Sequence, residues 1–284
     1  LIRPKVHEAE IRPPEWIAEE GQQYIYGYER DGGSLYRTTL STGTTLKALV
    51  NHTFETGTVW CEVAGGDIYF TGGCRGFKNV NEVVRVSCSS LEVTSKAPML
   101  SARCYHASVY YKNYLYCFGG MSARGNLMRE CERLTVSEDQ WEALQSSPQP
   151  CANASVVVME DTQSIFALGG LGSTFSESDM IQRLRLERLE WDGMTLRLPS
   201  AAIYIACFSN VSKLWFVAKE KLYCLNAIKD CSITLVREVA EAMSHCGPSK
   251  YYSGYLYCSN NKGAAKRREI GSLHGYNEMV IGVS

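Results

Sequence analysis

A short apolar run that ends in two glycines recurs along the chain. Its spacing restricts the possible folds more than any other feature. "YLYCFGG" (114–120) aligns with "DIYFTGG" (67–73), "SIFALGG" (164–170), "KLWFVAK" (213–219), "YLYCSNN" (255–261) and "YIYGYER" (24–30). Anchored on the aliphatic residue, the copies centre on Ile25, Ile68, Leu115, Ile165, Leu214 and Leu256, in steps of 43, 47, 50, 49 and 42 residues. Self-similarity at such a period marks a repeat architecture, in which each unit hides its apolar faces against its neighbours.

Each period carries further strand signals. In the third copy "HASVYY" (106–111) precedes the anchor run, and "RECERLTV" (129–136) and "QWEAL" (140–144) follow it. The second and fourth copies repeat this order with "TVWCEV", "EVVRVSC" and "SLEVTS", and with "ASVVVM", "MIQRLRL" and "EWDGMTLRL". Short runs rich in Val, Ile, Tyr and Trp, separated by turn residues, read as strands. Six units of four strands and no convincing helix predict an all-β fold, a six-bladed β-propeller of four-stranded antiparallel blades. The glycine pair fits that geometry, because Gly reaches φ > 0 and tolerates close backbone approach. Asn260-Asn261 replaces it in the sixth copy, and Glu29-Arg30 and Ala218-Lys219 break the rule. Those blades are expected to turn differently.

The 284 residues, 45% of them hydrophobic, suffice for one sizeable domain, and the formal charge of −1 gives no global pull toward nucleic acid or an anionic membrane. The longest apolar runs fall far short of the about 20 residues a membrane helix needs. The chain opens at Leu1 with no basic-then-apolar leader and reads as one domain, 1–284, cut from a longer protein. Twelve cysteines include no CxxC, and the closest two are Cys224 and Cys231. Several lie inside strand-like runs, so reduced, structural thiols in a cytoplasmic protein are expected. Three sequons, at Asn51, Asn153 and Asn210, argue only weakly for secretion.

These residues resemble the kelch repeat. The third copy carries the resemblance best, with Arg103 before its first strand, "YLYCFGG" as the second, Glu130 opening the third and Trp141 in the fourth. The second copy keeps the double glycine and "NEV" (81–83); the fourth keeps the glycines, Asp179 and Trp191. The other copies are degenerate kelch-like repeats. Ring closure is expected to join the two ends in one blade, using "EMVIGVS" (278–284) or "KVHEAEI" (5–11).

No enzymatic constellation stands out. "GGLGST" (169–174) lacks the lysine of a phosphate loop, "HEAEI" (7–11) lacks a second His, and His7, His52, His106, His245 and His274 are dispersed. The copper oxidases related to galactose oxidase resemble this architecture, but their paired His ligands and Tyr–Cys cross-link have no recognisable counterpart here. The reading is a non-catalytic domain with no cofactor and no metal.

Topology allows one more step. In a four-strand meander, the loop after the second strand and the lead-in to the first share one rim. Those positions hold Arg30, Arg75, Arg124, Lys219 and Lys262, with Arg103 and Tyr105 in a lead-in segment. Guanidinium groups match carboxylates, so such a rim suits an acidic or phosphorylated peptide. The resemblance implies the same: propellers of kelch-type ubiquitin-ligase adaptors bind acidic segments on this face, with the ligase machinery reached through other domains. A scaffold or cytoskeleton-binding propeller is the alternative.

Overall fold

The computed structural model describes residues 22–30, 32–210, 213–227, 231–239, 248–253, 255–259 and 265–273. They form six antiparallel sheets. Blade 1 comprises β1 (Tyr24–Glu29), β2 (Ser34–Thr39) and β3 (Thr45–Leu49). Blade 2 comprises β4 (Val59–Glu62), β5 (Ile68–Arg75), β6 (Lys78–Val86) and β7 (Val93–Lys96). Blade 3 holds β8 (Ala107–Tyr111), β9 (Tyr114–Phe118), β10 (Cys131–Thr135) and β11 (Gln140–Leu144). Blade 4 holds β12 (Ser155–Met159), β13 (Ser164–Leu168), β14 (Ile181–Arg185) and β15 (Glu190–Asp192). Blade 5 follows with β16 (Ala206–Asn210), β17 (Lys213–Ala218), β18 (Lys221–Asn226) and β19 (Ser232–Glu238). Blade 6 shows β20 (Ser249–Tyr252), β21 (Tyr255–Cys258) and β22 (Lys266–Glu269). The termini expected to close the ring lie outside the described residues.

The anchor strands are apolar on both faces because both faces are buried. Along β9, Leu115 and Cys117 pack toward blade 2, while Tyr116 and Phe118 pack toward blade 4. Ile25, Ile68, Leu115, Ile165, Leu214 and Leu256 are each at most 1% exposed. The described core is therefore six clusters, one between each pair of neighbouring blades. The sixth joins blade 6 to blade 1 through Ile25, Leu40 and Tyr257, and the Tyr257 hydroxyl donates to the Leu40 carbonyl at 2.8 Å. Burying one such Phe or Leu contributes about 1.5–3 kcal/mol, so the ring is held mainly by these wedges.

The glycine pair works between blades as well as within one. A Cβ on Gly119 would stand 2.2 Å from the Cys151 carbonyl of blade 4's lead-in, and the Gly120 N–H donates to that same carbonyl at 2.7 Å. Gly72-Gly73 meets Arg103 of blade 3 in the same way, and Gly169-Gly170 meets Ala202 of blade 5. The repeat tryptophans tie adjacent blades too. Trp141 Nε1 donates to the Ala97 carbonyl at 2.8 Å and Trp191 Nε1 to the Gln145 carbonyl at 3.0 Å. Among the described residues, no helix is long and apolar enough to cross a membrane.

Candidate interaction rim

The inner strands β4, β8, β12, β16 and β20 surround a channel of about 1460 Å³. At one mouth, four blades present an equivalent lead-in residue in the left-handed region: Gly57 (φ +70°), Tyr105 (+54°), Asn153 (+53°) and Tyr204 (+53°). Their backbones form a belt. Tyr105 N–H donates to Gly57 O at 2.8 Å, Asn153 N–H to Tyr105 O at 2.8 Å, and Tyr204 N–H to Asn153 O at 3.4 Å. Gly and Asn suit this conformation, whereas tyrosine occupies it at a cost of about 1–2 kcal/mol. The belt supplies the compensating hydrogen bonds.

In blades 2, 3 and 4 the loop after the second strand shares this face with the lead-in segment, as topology predicts. Short bridges join them at Thr56 with Cys74, Cys104 with Met121, and Ala152 with Leu171. The predicted cations, however, have different surroundings. Arg124 is exposed in the β9–β10 loop, and Lys219 is exposed in the β17–β18 turn; neither has an ion pair among the described residues. Arg30 is half-buried, and its Nη1 donates to Thr56 Oγ1 at 3.0 Å. Arg75 is exposed but bracketed: Nε meets Glu55 Oε1 at 2.7 Å, and the two Nη atoms meet both oxygens of Glu82 at 3.1 and 2.8 Å. The hydrogen bonds it donates to Glu82 and Glu55 raise its already high pKa further, and their charges more than offset its own. Tyr105 is half-buried, which pushes its phenol above the ordinary range. Lys262 lies outside the described residues.

Arg103 corrects the expectation. It is 1% exposed and presents nothing to a partner. Nη1 donates to the carbonyls of Gly119 (2.8 Å) and Glu130 (2.7 Å), and Nη2 meets Glu132 Oε1 at 2.6 Å. The acidic residue that pairs with Arg103 is thus buried Glu132, whereas Glu130 offers Arg103 its carbonyl and turns its carboxylate to the Arg129 N–H. Glu132 Oε2 also accepts the Leu100 N–H at 2.6 Å, so one ion pair braces the loop, the lead-in and β10 together. An arginine at the start of a lead-in looks solvent-facing in a linear sequence. Only the fold shows that the segment dives between blades.

Sequence reasoning missed the apolar part of the rim. Phe77, at the tip of the β5–β6 hairpin, is fully exposed, and Leu100 and Phe175 are more than half exposed in rim loops of blades 2–3 and 4. A bulky residue flanked by turn formers, as in "RGFKN" and "GSTFSES", was the available signal. Blade 4 adds Glu177 and Asp179 to the same face, the latter 3.8 Å from Arg197. The rim is therefore a mixed surface, apolar knobs among charges of both signs, with exposed cations that have no ion pair among the described residues at Lys78 on blade 2, Arg124 on blade 3 and Lys219 on blade 5. Among the described residues, no group of three or more His, Cys, Asp or Glu is placed to hold a metal ion.

Comparison with known proteins agrees with the geometry. The kelch-motif family model matches residues 102–148, which is blade 3 with its lead-in. The chain is 26% identical to Kelch-like protein 23 of Homo sapiens over 221 residues, covering 75% of this chain and 38% of that protein. It is 30% identical to Kelch-like protein 38 of Homo sapiens over 101 residues, 36% of this chain and 17% of that one. Beta-scruin of Limulus polyphemus is 23% identical over 167 residues, 56% of this chain and 16% of its own length. The chain thus spans well under half the length of these relatives. Among solved structures, that of YjhT superposes with a TM-score of 0.58 over 73% of this chain and 72% of its own, at 12% identity, a likeness of fold alone. The kelch-motif match over blade 3, the kelch-like relatives and the six-bladed fold together support a kelch-repeat β-propeller.

Proposed function

We propose that the chain is a non-catalytic protein-interaction module, working in the cytoplasm, whose contact surface is this rim. It takes an acidic or phosphorylated segment of a partner protein. One observation carries the reading. Of the five large apolar side chains exposed among the described residues, Phe77, Leu100 and Phe175 stand on the face that also carries Arg124 and Lys219. Exposed aromatics on short loops are the usual anchors of a protein interface, and cations beside them select acidic neighbours. The kelch-like relatives support an interaction role. Delivery of the bound protein to ubiquitin-ligase machinery is the finer reading that the resemblance implies.

The test is selection of displayed twelve-residue segments on the purified chain. Winners should pair an aromatic or aliphatic residue with neighbouring Asp, Glu or phosphoserine. Their affinity should fall at least tenfold in Phe77→Ala/Phe175→Ala and in Arg124→Glu/Lys219→Glu, and should weaken with salt. Winners without acidic enrichment, or indifferent to both double variants, would overturn the proposal and favour a scaffold that uses another face.

A further inference from the structure

Eleven cysteines among the described residues are free thiols, and nine of them are buried. Cys61 lies close enough to raise the pKa of Cys117, Cys131 that of Cys151, and Cys258 that of Cys207, yet all six are buried away from any dissolved oxidant. Cys74 and Cys104 differ. Cys74 is half-exposed near the end of β5, on the rim, and Cys104 lies buried just beneath it in the lead-in to blade 3.

Three contacts bring the two thiols to one spot. Cys74 pairs directly across the hairpin with Asn79, so the two side chains share a face of the sheet. Cys104 Sγ lies 3.5 Å from Asn79 Oδ1, on that same face. From the other side, Cys74 bridges Thr56, and a Cβ placed on the next residue, Gly57, would lie 3.0 Å from Cys104 Cβ. Asn79 is therefore the common neighbour of both cysteines, cross-strand partner of Cys74 and in contact with the Cys104 sulfur. Cys74 Sγ now points at the Gly76 carbonyl, 3.2 Å away, and rotation of one side-chain torsion would release it.

We infer that Cys74 and Cys104 are a dithiol pair which hydrogen peroxide, or another hydroperoxide, joins in a disulfide tying the β5–β6 hairpin to the lead-in of blade 3. The Cys74 thiolate attacks peroxide: an S–O bond forms, the O–O bond breaks and hydroxide leaves. The Cys104 thiolate then attacks the sulfenic sulfur: the S–S bond forms, the S–O bond breaks and a second hydroxide departs. Two thiols are oxidised, and the two hydroxides take up the two thiol protons as water. Burial pushes the Cys104 thiol up to about 11, so the second step accelerates as pH rises. The bond would staple Phe77's hairpin to the segment carrying Tyr105, two parts of one rim. The chemistry itself does not depend on the proposed function.

The purified chain is treated with one equivalent of hydrogen peroxide at pH 8, alkylated and mapped by mass spectrometry. A Cys74–Cys104 linked peptide is expected. It should be absent in Cys74→Ser and in Cys104→Ser, and the latter should leave a Cys74 sulfenic acid that dimedone traps. Thermal melts of the reduced variants establish that both are folded. Recovery of Cys74 fully reduced, or linked to a different cysteine in the folded wild-type chain, would overturn the inference. Loss of the link with peptide binding unchanged would leave the rim proposal standing, so the two fail separately.

Discussion

Blades 3 and 5 build the same inner corner from opposite chemistries. In blade 3 the corner holds Arg103, His106 and Glu132, all at most 3% exposed. The Arg103–Glu132 pair braces it, and His106 Nε2 lies 2.8 Å from Thr71 Oγ1 of blade 2. At the equivalent places in blade 5 stand Ala202, Ile205 and Tyr223, packed into the cluster shared with blade 4. Their loops diverge as well. Blade 3 leaves its second strand through Gly119-Gly120 into a long loop that carries Arg124. Blade 5 turns at once through Lys219 and Glu220, both left-handed at φ +45° and +61°. The corner thus requires filled volume and satisfied backbone groups, and either a polar network or an apolar plug supplies them. Buried ion pairs are commonly replaceable by apolar groups of similar size, though not one partner at a time.

The largest expected effect follows from that rule. Arg103→Met should cost about 3–5 kcal/mol in urea unfolding by stranding Glu132, whereas Arg103→Met/Glu132→Leu, which gives blade 3 a corner like that of blade 5, should recover most of the loss. A single variant costing under about 1 kcal/mol would mean the pair does not hold the corner. Gly119→Ala comes next, at about 2–4 kcal/mol, since it combines φ +61° with a clash against Cys151 O. By contrast, Ala218→Gly at the matching place in blade 5 should cost only about 1 kcal/mol.

The third prediction concerns acid. Burial, with a smaller contribution from the Arg103 charge, holds the His106 pKa well below its ordinary value. The unfolded chain therefore binds a proton that the native state refuses. Stability should fall as pH drops below about 6.5, by up to about 1.4 kcal/mol per unit, and His106→Gln should remove that slope from the stability–pH curve. Blade 5, with Ile205 at this place, has no matching sensitivity. The smallest effect is a gain. Lys219→Asn with Glu220→Gly supplies the residues that a two-residue left-handed turn prefers and should stabilise by about 1 kcal/mol in the same unfolding assay.

Much of the scaffold was legible in the linear chain. The six anchors, Ile25 to Leu256, all fell in the core, and the strands of blade 3 begin and end within a residue or two of their expected places. The outer strand of blade 4 proved shorter than "EWDGMTLRL" suggested, stopping at Asp192 before Gly193. The candidate site was less legible. Arg124 and Lys219 lie on the rim as expected, yet Arg75 is bracketed by Glu55 of the lead-in to β4 and by Glu82 of β6, and Arg103 is buried. Phe77 and Phe175 look like ordinary apolar residues until the loops bearing them are seen to face solvent.

The sequence by itself determined the number of wedges, their strand order and the face on which the loops gather. Those properties follow from period, apolar patterning and turn chemistry, all of which are local along the chain. The tertiary structure alone decided which charges meet a partner and which meet each other. Burial and ion pairing join residues far apart in sequence, as Arg103 with Glu132 shows, and so depend on how blades approach one another in space.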